Sequence, residues 1–412
     1  MRVFTAVRHS SDPREFYGGL WSGNFYPALR GLGHEIVESQ TDLAPTSRFM
    51  DVAANFTPEE RAVRAMATER ILAEVSAALR TGPIDLFLSY FYNAHFDPAG
   101  FDELRRLGVP SVNFYCNSIY QFELVAAIAA KADVSWHAER DARSAYLAVG
   151  ATPVWVQMGA DPHIYHPVEH IERRPNACFV GQRYADRDVW MASLLAAGIP
   201  VEIYGPGWGA APSSAATAAA VPAVRAREAS YLGRPVYPPG SIAAYGKVVR
   251  DIVARDGMAR GLARIGRQWQ AGRAGRQRAH LFTPHARGPI PFERIAEVFA
   301  AHEVCLNFSN VWADGQPGSA LVPHVRLRDF EAPMCRTCYL TGHTDEIAEF
   351  YEIGREIDTY ASPEELAAKA RYYLAHPGAA EALREAGYQR ARRDHTWVRR
   401  FEELFLKMGL VK

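Results

Sequence analysis

The sequence predicts an α/β protein of two doubly wound, Rossmann-like domains facing each other across a cleft, with a basic helical insertion in the second. Three observations predict it. Residues 1–160 alternate short apolar runs with helical patterns, as parallel strands joined by crossover helices do. The segment GADPHIYHPVEHIERRP, residues 159–175, combines Pro, His and charge without periodicity and reads as a linker. From Asn176 the alternation restarts, and 412 residues suffice for two hydrophobic cores. The expected domains are 1–160 and 176–412, joined by a linker at 161–175, with the insertion at about 209–290.

In the first domain, Arg2 to Val7 is a strand, Asn24 is placed to cap a helix ending at Gly33, and Glu35 to Glu38 starts a second strand. Thr57-Pro58-Glu59-Glu60 is a capping box with Pro at the first helical position, opening a helix to about Arg80. A buried strand at Ile84 to Ser89, a helix start at Asp97-Pro98 and a strand at Ser111 to Tyr115 follow, then strand, helix and strand to about Gln157. In the second domain, Cys178 to Gly181 ends a strand, Asp186 to Ala197 is a helix, Pro200 to Tyr204 a strand, and Gly205-Pro206-Gly207 a turn. Phe292 to His302 is helical and Glu303 to Phe308 a buried strand. Residues 321–360 read helix, strand, helix, strand. Ser362-Pro363-Glu364-Glu365 repeats the capping chemistry, and its helix stops at Pro377-Gly378. Phe401, Leu404, Phe405 and Met408 form an apolar docking stripe on the last helix.

Composition narrows the function. The 46 basic and 46 acidic residues cancel, so no global charge argues for nucleic acid or membrane. No apolar run approaches the roughly 18 residues that span a bilayer, and MRVFTAVRHS lacks a signal-peptide core, so a cytoplasmic protein is expected. Cys116, Cys178, Cys305, Cys335 and Cys338 make no disulfide framework, and the lone CxxC at 335–338 is read as structural thiols. The insertion carries 13 Lys or Arg against 3 Asp or Glu. It is either a platform for something anionic or a solvated helical face; aromatics are too sparse for a nucleic-acid reader.

In open parallel sheets ligands bind at the C-terminal strand ends, where helix N-termini receive phosphate. Three stretches qualify. Gly181-Gln182-Arg183, with Arg187 after it, follows the first strand of the second domain and is a candidate diphosphate contact. Gly18 and Gly19, between the first strand and the first helix, allow close backbone approach, but form no GxGxxG, so a nicotinamide fingerprint is absent. Arg326, Arg328 and Glu331 share two helical turns. A guanidinium beside a carboxylate suits a ligand with phosphate oxygens and vicinal hydroxyls, while the plain reading is a surface ion pair. His95, after a buried strand, is placed to hydrogen-bond a substrate or act as a base, or is a satisfied structural histidine. His9 and Asn117 are weaker versions of the same idea. Asp186-Arg187-Asp188 matches a short D-x-D metal pattern that arises often by chance. His163, His166 and His170 read as solvent-exposed.

The run RDFEAPMC, then YLT, a DEI helix, FYEIGREI, YYLAHP and RDHTWVRRFEELF, preceded by CFVGQRYADRDVW and EVCLNFSN, resembles the C-terminal half of the CgeB-like (spore maturation protein) glycosyltransferases. The likeness covers most of residues 176–405 apart from the insertion. It implies the GT-B fold and transfer of a sugar from a nucleotide-diphosphate sugar, bound by the second domain, to an unidentified glycan, protein or small molecule. It also implies that Glu331 holds the ribose and that Arg328 and the FVG...R arginines face the diphosphate; Arg326 and Asn307 are further candidates for the nucleotide site. Many GT-B enzymes are similar in having a histidine in the N-terminal half of the cleft, which makes His95 a catalytic candidate with Arg328. Fixed cations would stabilise the leaving group, so no metal or other cofactor is expected. By analogy with neighbouring families the transfer retains configuration. The chain departs from the pattern at Arg336, where many relatives have Gly, and at Pro323, where related retaining enzymes carry another Glu. The alternatives are a nucleotide-sugar epimerase of the same fold and a non-catalytic glycan- or nucleotide-binding protein.

Overall fold

The structure, a computed structural model, describes residues 1–10, 16–209, 230–232, 234–235 and 241–410. Its backbone separates into two compact units. One comprises Met1–Asp161, Leu232–Arg234 and His395–Lys412; the other comprises Pro162–Tyr231 and Pro235–Asp394.

The first unit is built on a six-stranded, all-parallel sheet of β1 (Arg2–Ala6), β2 (Glu35–Glu38), β3 (Leu86–Ser89), β4 (Ser111–Tyr115), β5 (Val134–His137) and β6 (Pro153–Trp155). The strand order is β2-β1-β3-β4-β5-β6. β3 and β4 are buried throughout, as a strand covered on both faces must be. The Thr57 capping box forms: its hydroxyl accepts from the Glu60 N–H, the Glu60 carboxylate accepts from the Thr57 N–H, and the helix Pro58–Leu79 follows. The helix Phe16–Gly31 starts earlier than expected and runs through Asn24. Asn24 is therefore an interior residue: its amide donates to Leu20 O and its carbonyl accepts from the Trp397 indole at 2.8 Å. Gly18 and Gly19, expected in the turn before this helix, lie inside it. The apolar face that begins at Trp21 and Phe25 extends the helix over them, so they form no ligand-binding turn.

A second correction concerns the last helix, Trp397–Lys407, which was expected with the second domain but clusters with the first. Its apolar stripe explains the placement. Phe401 packs on Phe25 and Trp136 with ring centroids 5.2 and 5.5 Å away, and Trp397 lies edge-on to Phe25 at 4.9 Å. The backbone adds to this: Ala160 N–H donates to His395 O at 2.9 Å, and Trp397 N–H to Ala160 O at 3.2 Å.

The second unit holds another six-stranded, all-parallel sheet. Its strands are β7 (Arg174–Val180), β8 (Val201–Tyr204), β11 (Ala286–Gly288), β12 (His302–Asn307), β15 (Tyr339–Gly342) and β16 (Asp358–Tyr360), in the order β11-β8-β7-β12-β15-β16. The short strands β9 (Ser230–Tyr231) and β10 (Arg234–Pro235) lie within the insertion, and β13 (Asn310–Trp312) pairs antiparallel with β14 (Leu321–Pro323). The insertion's described helices are Ile242–Asp256 and Met258–Phe282, and its expected end overlaps edge strand β11. Residues 210–229, its Ala/Ser-rich opening, lie outside the described residues. Arg326 precedes the helix Arg328–Met334 instead of lying in it. Helix Pro363–Ala375 starts at the Ser362 cap, and Pro377, read as a stop, is the first residue of the next helix, Pro377–Asp394.

On this sheet, Glu202 collects the Tyr204 hydroxyl at 2.7 Å, His302 at 3.0 Å and Arg174 at 2.8 Å. Burial alone would raise its pKa, but these donors outweigh it and hold the carboxyl at about 2.

Two outcomes are expected. Phe401→Ala should cost about 3–5 kcal/mol in a urea titration; an unchanged midpoint would mean the last helix does not close the first core. Because Glu202 titrates lower folded than unfolded, it stabilises above the ordinary carboxylate range, and that contribution disappears as pH falls from about 4.5 towards 2. Glu202→Gln should therefore lower stability at pH 7 by about 3 kcal/mol and flatten the acid limb of a stability–pH curve.

Candidate functional site

The ends of β7 and β12 build the site, within the second unit. After β7 the chain turns at Gly181 and enters the helix Arg187–Ala196. A Cβ on Gly181 would lie 2.7 Å from the Phe179 ring and 3.1 Å from Arg187 Nη1, so only glycine fits there. Gly205, at φ 134°, faces it so closely that a Cβ would stand 2.3 Å from Gly181 O. The loops after β7 and β8 thus press together and lodge Arg187 at the strand ends.

Arg187 is buried, its guanidinium over the Phe179 and Tyr184 rings at 5.4 and 5.8 Å, with Nη1 donating to Gln182 O at 3.0 Å. Burial, and after it the neighbouring Arg326 cation, lowers its pKa to about 9, so it remains charged at neutral pH. Arg326 donates to Asn310 O at 2.8 Å, and Asn310 Nδ2 donates to Asp186 Oδ2 at 2.7 Å. The Tyr184 hydroxyl accepts from Trp312 N–H at 3.3 Å, so the β7 loop is stitched to β13. The Nε atoms of Arg187 and Arg326 and the second oxygen of Asp186 are all buried and lack a hydrogen-bond partner. Two cations with unsatisfied donors at parallel strand ends can receive an anion, phosphate above all.

Asp329 fixes one of these cations. Its buried carboxylate accepts from Thr341 Oγ1 at 2.7 Å, Tyr339 OH at 2.9 Å, Asn307 Nδ2 at 3.2 Å and the Arg326 backbone N–H at 2.7 Å. Burial raises its pKa. The hydrogen bonds tie the start of helix Arg328–Met334 to the ends of β12 and β15.

The other expected site residues are distributed as follows. Asn307 spends its amide on Asp329 and Thr341, so it positions the site from beneath. Arg328 and Glu331 form the expected i,i+3 pair, Nη1 to Oε2 2.8 Å, but buried: Glu331 is 4% exposed, and its other oxygen accepts from Tyr165 OH at 2.6 Å. Arg328 lies 5.3 Å over the Phe299 ring. Glu331 is thus taken up by Arg328 and Tyr165, while Arg328 Nη1, paired by charge, is a further buried nitrogen without a hydrogen-bond partner. Arg183 turns to the insertion, donating to Asp188 at 2.8 Å and to Gly275 O at 2.5 Å. The two carboxylates of the D-x-D pattern serve different partners: Asp188 takes Arg183 and Arg278, and Asp186 takes Asn310 and Trp190.

In the first unit, His95 is fully buried. Tyr92 N–H donates to its Nδ1 at 3.1 Å, which leaves the proton on Nε2, 3.1 Å from Ser47 Oγ. Burial, then the adjacent His9, pushes its pKa well below the usual value. Both of its ring nitrogens are engaged within the first unit. His163, His166 and His170 are exposed, and all five cysteines are buried free thiols.

Asp186 was singled out from sequence only as part of the D-x-D metal pattern, and Asn310, Asp329 and Tyr165 not at all as binding or positioning residues. The first two sat in quoted runs, YADRDVW and LNFSN, and Asp329 stood between the two favoured residues. Tyr165 carried no signal, being placed in a presumed linker.

Comparison with known proteins bears on this geometry. The family model described as "Glycosyl transferase-like" matches residues 250–405. No curated protein matches the chain. Among solved structures, sucrose-phosphate synthase from Thermosynechococcus elongatus superposes with a TM-score of 0.53 at 13% identity, covering 100% of both chains. HepE of Anabaena, solved in complex with UDP, gives 0.52 at 11% identity, again over 100% of both. A glycosyltransferase from Rickettsia africae gives 0.55 at 9% identity, covering 100% of this chain and 98% of its own. The chain has the GT-B fold.

Asp329→Asn, which points an amide N–H at hydrogen-bond donors, should cost about 2–3 kcal/mol and loosen Arg326. Chemical denaturation measures it; a cost below about 0.5 kcal/mol would show that the carboxylate does not hold the site together.

Proposed function

We propose that the chain is a glycosyltransferase that takes a hexosyl unit from a nucleotide-diphosphate sugar and passes it to a glycan, protein or small-molecule acceptor. The single observation that carries this is the Arg187–Arg326 pair at the C-terminal ends of β7 and β12, with buried Nε donors left unmatched, in a GT-B fold. As the glycosidic C–O bond to the donor phosphate breaks, negative charge grows on the departing diphosphate. Two guanidiniums, both held by backbone carbonyls and Arg187 also by ring packing, stabilise that charge without reorganising. They supply the positive charge a metal would otherwise bring. The N-terminus of the helix Arg187–Ala196, with its dipole, adds to it. Binding of UDP by HepE, and of UDP-glucose by the same protein, supports a uridine donor as the first to try.

Glu331 takes the ribose by exchange, the Tyr165 hydroxyl giving way to a ribose hydroxyl of the same donor character. The closer kinship with CgeB-like enzymes, and a retaining outcome, rest on the motif resemblance from RDFEAPMC onward.

The test is a thermal-shift and calorimetric titration with UDP, GDP, dTDP and CDP. One nucleotide should stabilise the protein, and Arg187→Ala or Arg326→Ala should weaken it about 10- to 100-fold, the loss of a charge-assisted contact to phosphate. Glu331→Ala should weaken the matching nucleoside as well. If no nucleotide binds at millimolar concentration, the transferase reading falls. Donor turnover without any acceptor would instead establish the epimerase.

A further inference from the structure

The helical insertion carries a surface that the sugar-transfer reading does not use. Among the described residues, eight of the fourteen exposed large apolar side chains lie between 242 and 281. The first helix exposes Ile242, Tyr245 and Val249, spaced three and four apart and so on one face, with Ile242 92% exposed. The second exposes Met258, Leu262 and Trp269 at the same kind of spacing, with Trp269 63% exposed. Exposed large apolar side chains concentrated in this way on one element mark an interaction surface.

The attachment of the hairpin shows which side is free. Arg264 and Arg267 reach the 314–319 loop: Arg264 pairs with Asp314 at 2.6 Å, and Arg267 donates to Gly318 O at 3.2 Å. Farther along, Arg278 holds Asp188 at 2.9 Å. At 3.6 residues per turn, Leu262 and Trp269 fall about half a turn from Arg264 and Arg267, on the opposite side of the helix. Beyond Trp269 that same side carries Arg273, whose guanidinium sits 5.8 Å over the Trp269 ring, and Arg276.

The charge is only partly compensated. Asp251 and Asp256 are the acidic residues of the two helices; Asp251 is taken by Lys247 at 2.6 Å and Asp256 by Arg264 at 3.1 Å. Arg273 and Arg276 have no carboxylate partner among the described residues. The whole chain is neutral, so positive charge is concentrated here against the average. A second copy is a poor occupant, since a twofold interface would set these arginines against their own images. An interfacial helix combines an apolar face with a tryptophan and flanking arginines that reach anionic headgroups.

We propose that this hairpin docks the protein on the surface of a membrane containing anionic lipid, with Leu262 and Trp269 at the headgroup boundary and Arg273 and Arg276 on lipid phosphates. The long helix lies in the plane of the surface and does not cross it.

The test is co-sedimentation of the full chain with phosphatidylcholine vesicles, with and without phosphatidylglycerol, at low and high salt. The wild-type protein should bind the anionic vesicles and release from them as salt rises. Arg273→Glu with Arg276→Glu, and separately Leu262→Ser with Trp269→Ser, should each reduce binding about tenfold or more, with thermal midpoint and nucleotide affinity unchanged. Equal binding to neutral and anionic vesicles, absence of binding to either, or binding that the paired substitutions leave intact would overturn the proposal. So would a dimer in solution that the same substitutions dissociate, which would assign the face to a second copy.

Discussion

The Asp329 carboxylate is the constraint on which the second unit's binding surface depends. A buried charge is costly unless donors surround it, and here strands β12 and β15 and the backbone of Arg326 each send one or more. The result is a rigid joint between two strand ends and the start of a helix. Arg326 leaves that joint towards Arg187, and the unsatisfied atoms of the two cations are a consequence. The same carboxylate that makes the joint expensive also makes it specific, because no neutral residue of its size accepts so many hydrogen bonds.

Around that joint the cations divide by what they meet. Arg183 and Arg278 share Asp188 and clamp the insertion to the sheet domain. Arg328 is absorbed by Glu331, itself closed off by Tyr165. Arg336 adopts φ 59°, a left-handed conformation that follows a helix end and is easiest for glycine. Its ion pairs to Glu381 and Glu385 on the helix Pro377–Asp394 offset that strain. Arg187 is held by the Phe179 and Tyr184 rings and the Gln182 carbonyl, and Arg326 by the Asn310 carbonyl, contacts that position a cation without neutralising it.

Much of the fold was legible. Short apolar runs and the helix caps at Thr57 and Ser362 depend on neighbours within a few residues, and those elements formed where the pattern put them. The failures were non-local. Asn24 resembled a cap until Trp397, hundreds of residues later, took its carbonyl. Gly18 and Gly19 resembled a turn, but the aromatic face beginning at Trp21 carried the helix across them. The apolar stripe on the last helix was visible, whereas the core it fills was not. Of the candidate site, the residue types and loops were legible, and the division into spent and available cations was not.

The sequence by itself determined an α/β alternation, two sheets, a basic inserted hairpin and a short set of arginines at strand ends, because periodicity, capping and charge are properties of neighbouring residues. Tertiary structure alone decided which arginines keep unsatisfied donors, that His95 is enclosed, that Glu331 is bonded to Tyr165, and which face of the hairpin is left bare. Those outcomes turn on partners distant in the chain. A side chain's chemistry is set as much by what packs against it as by what it is.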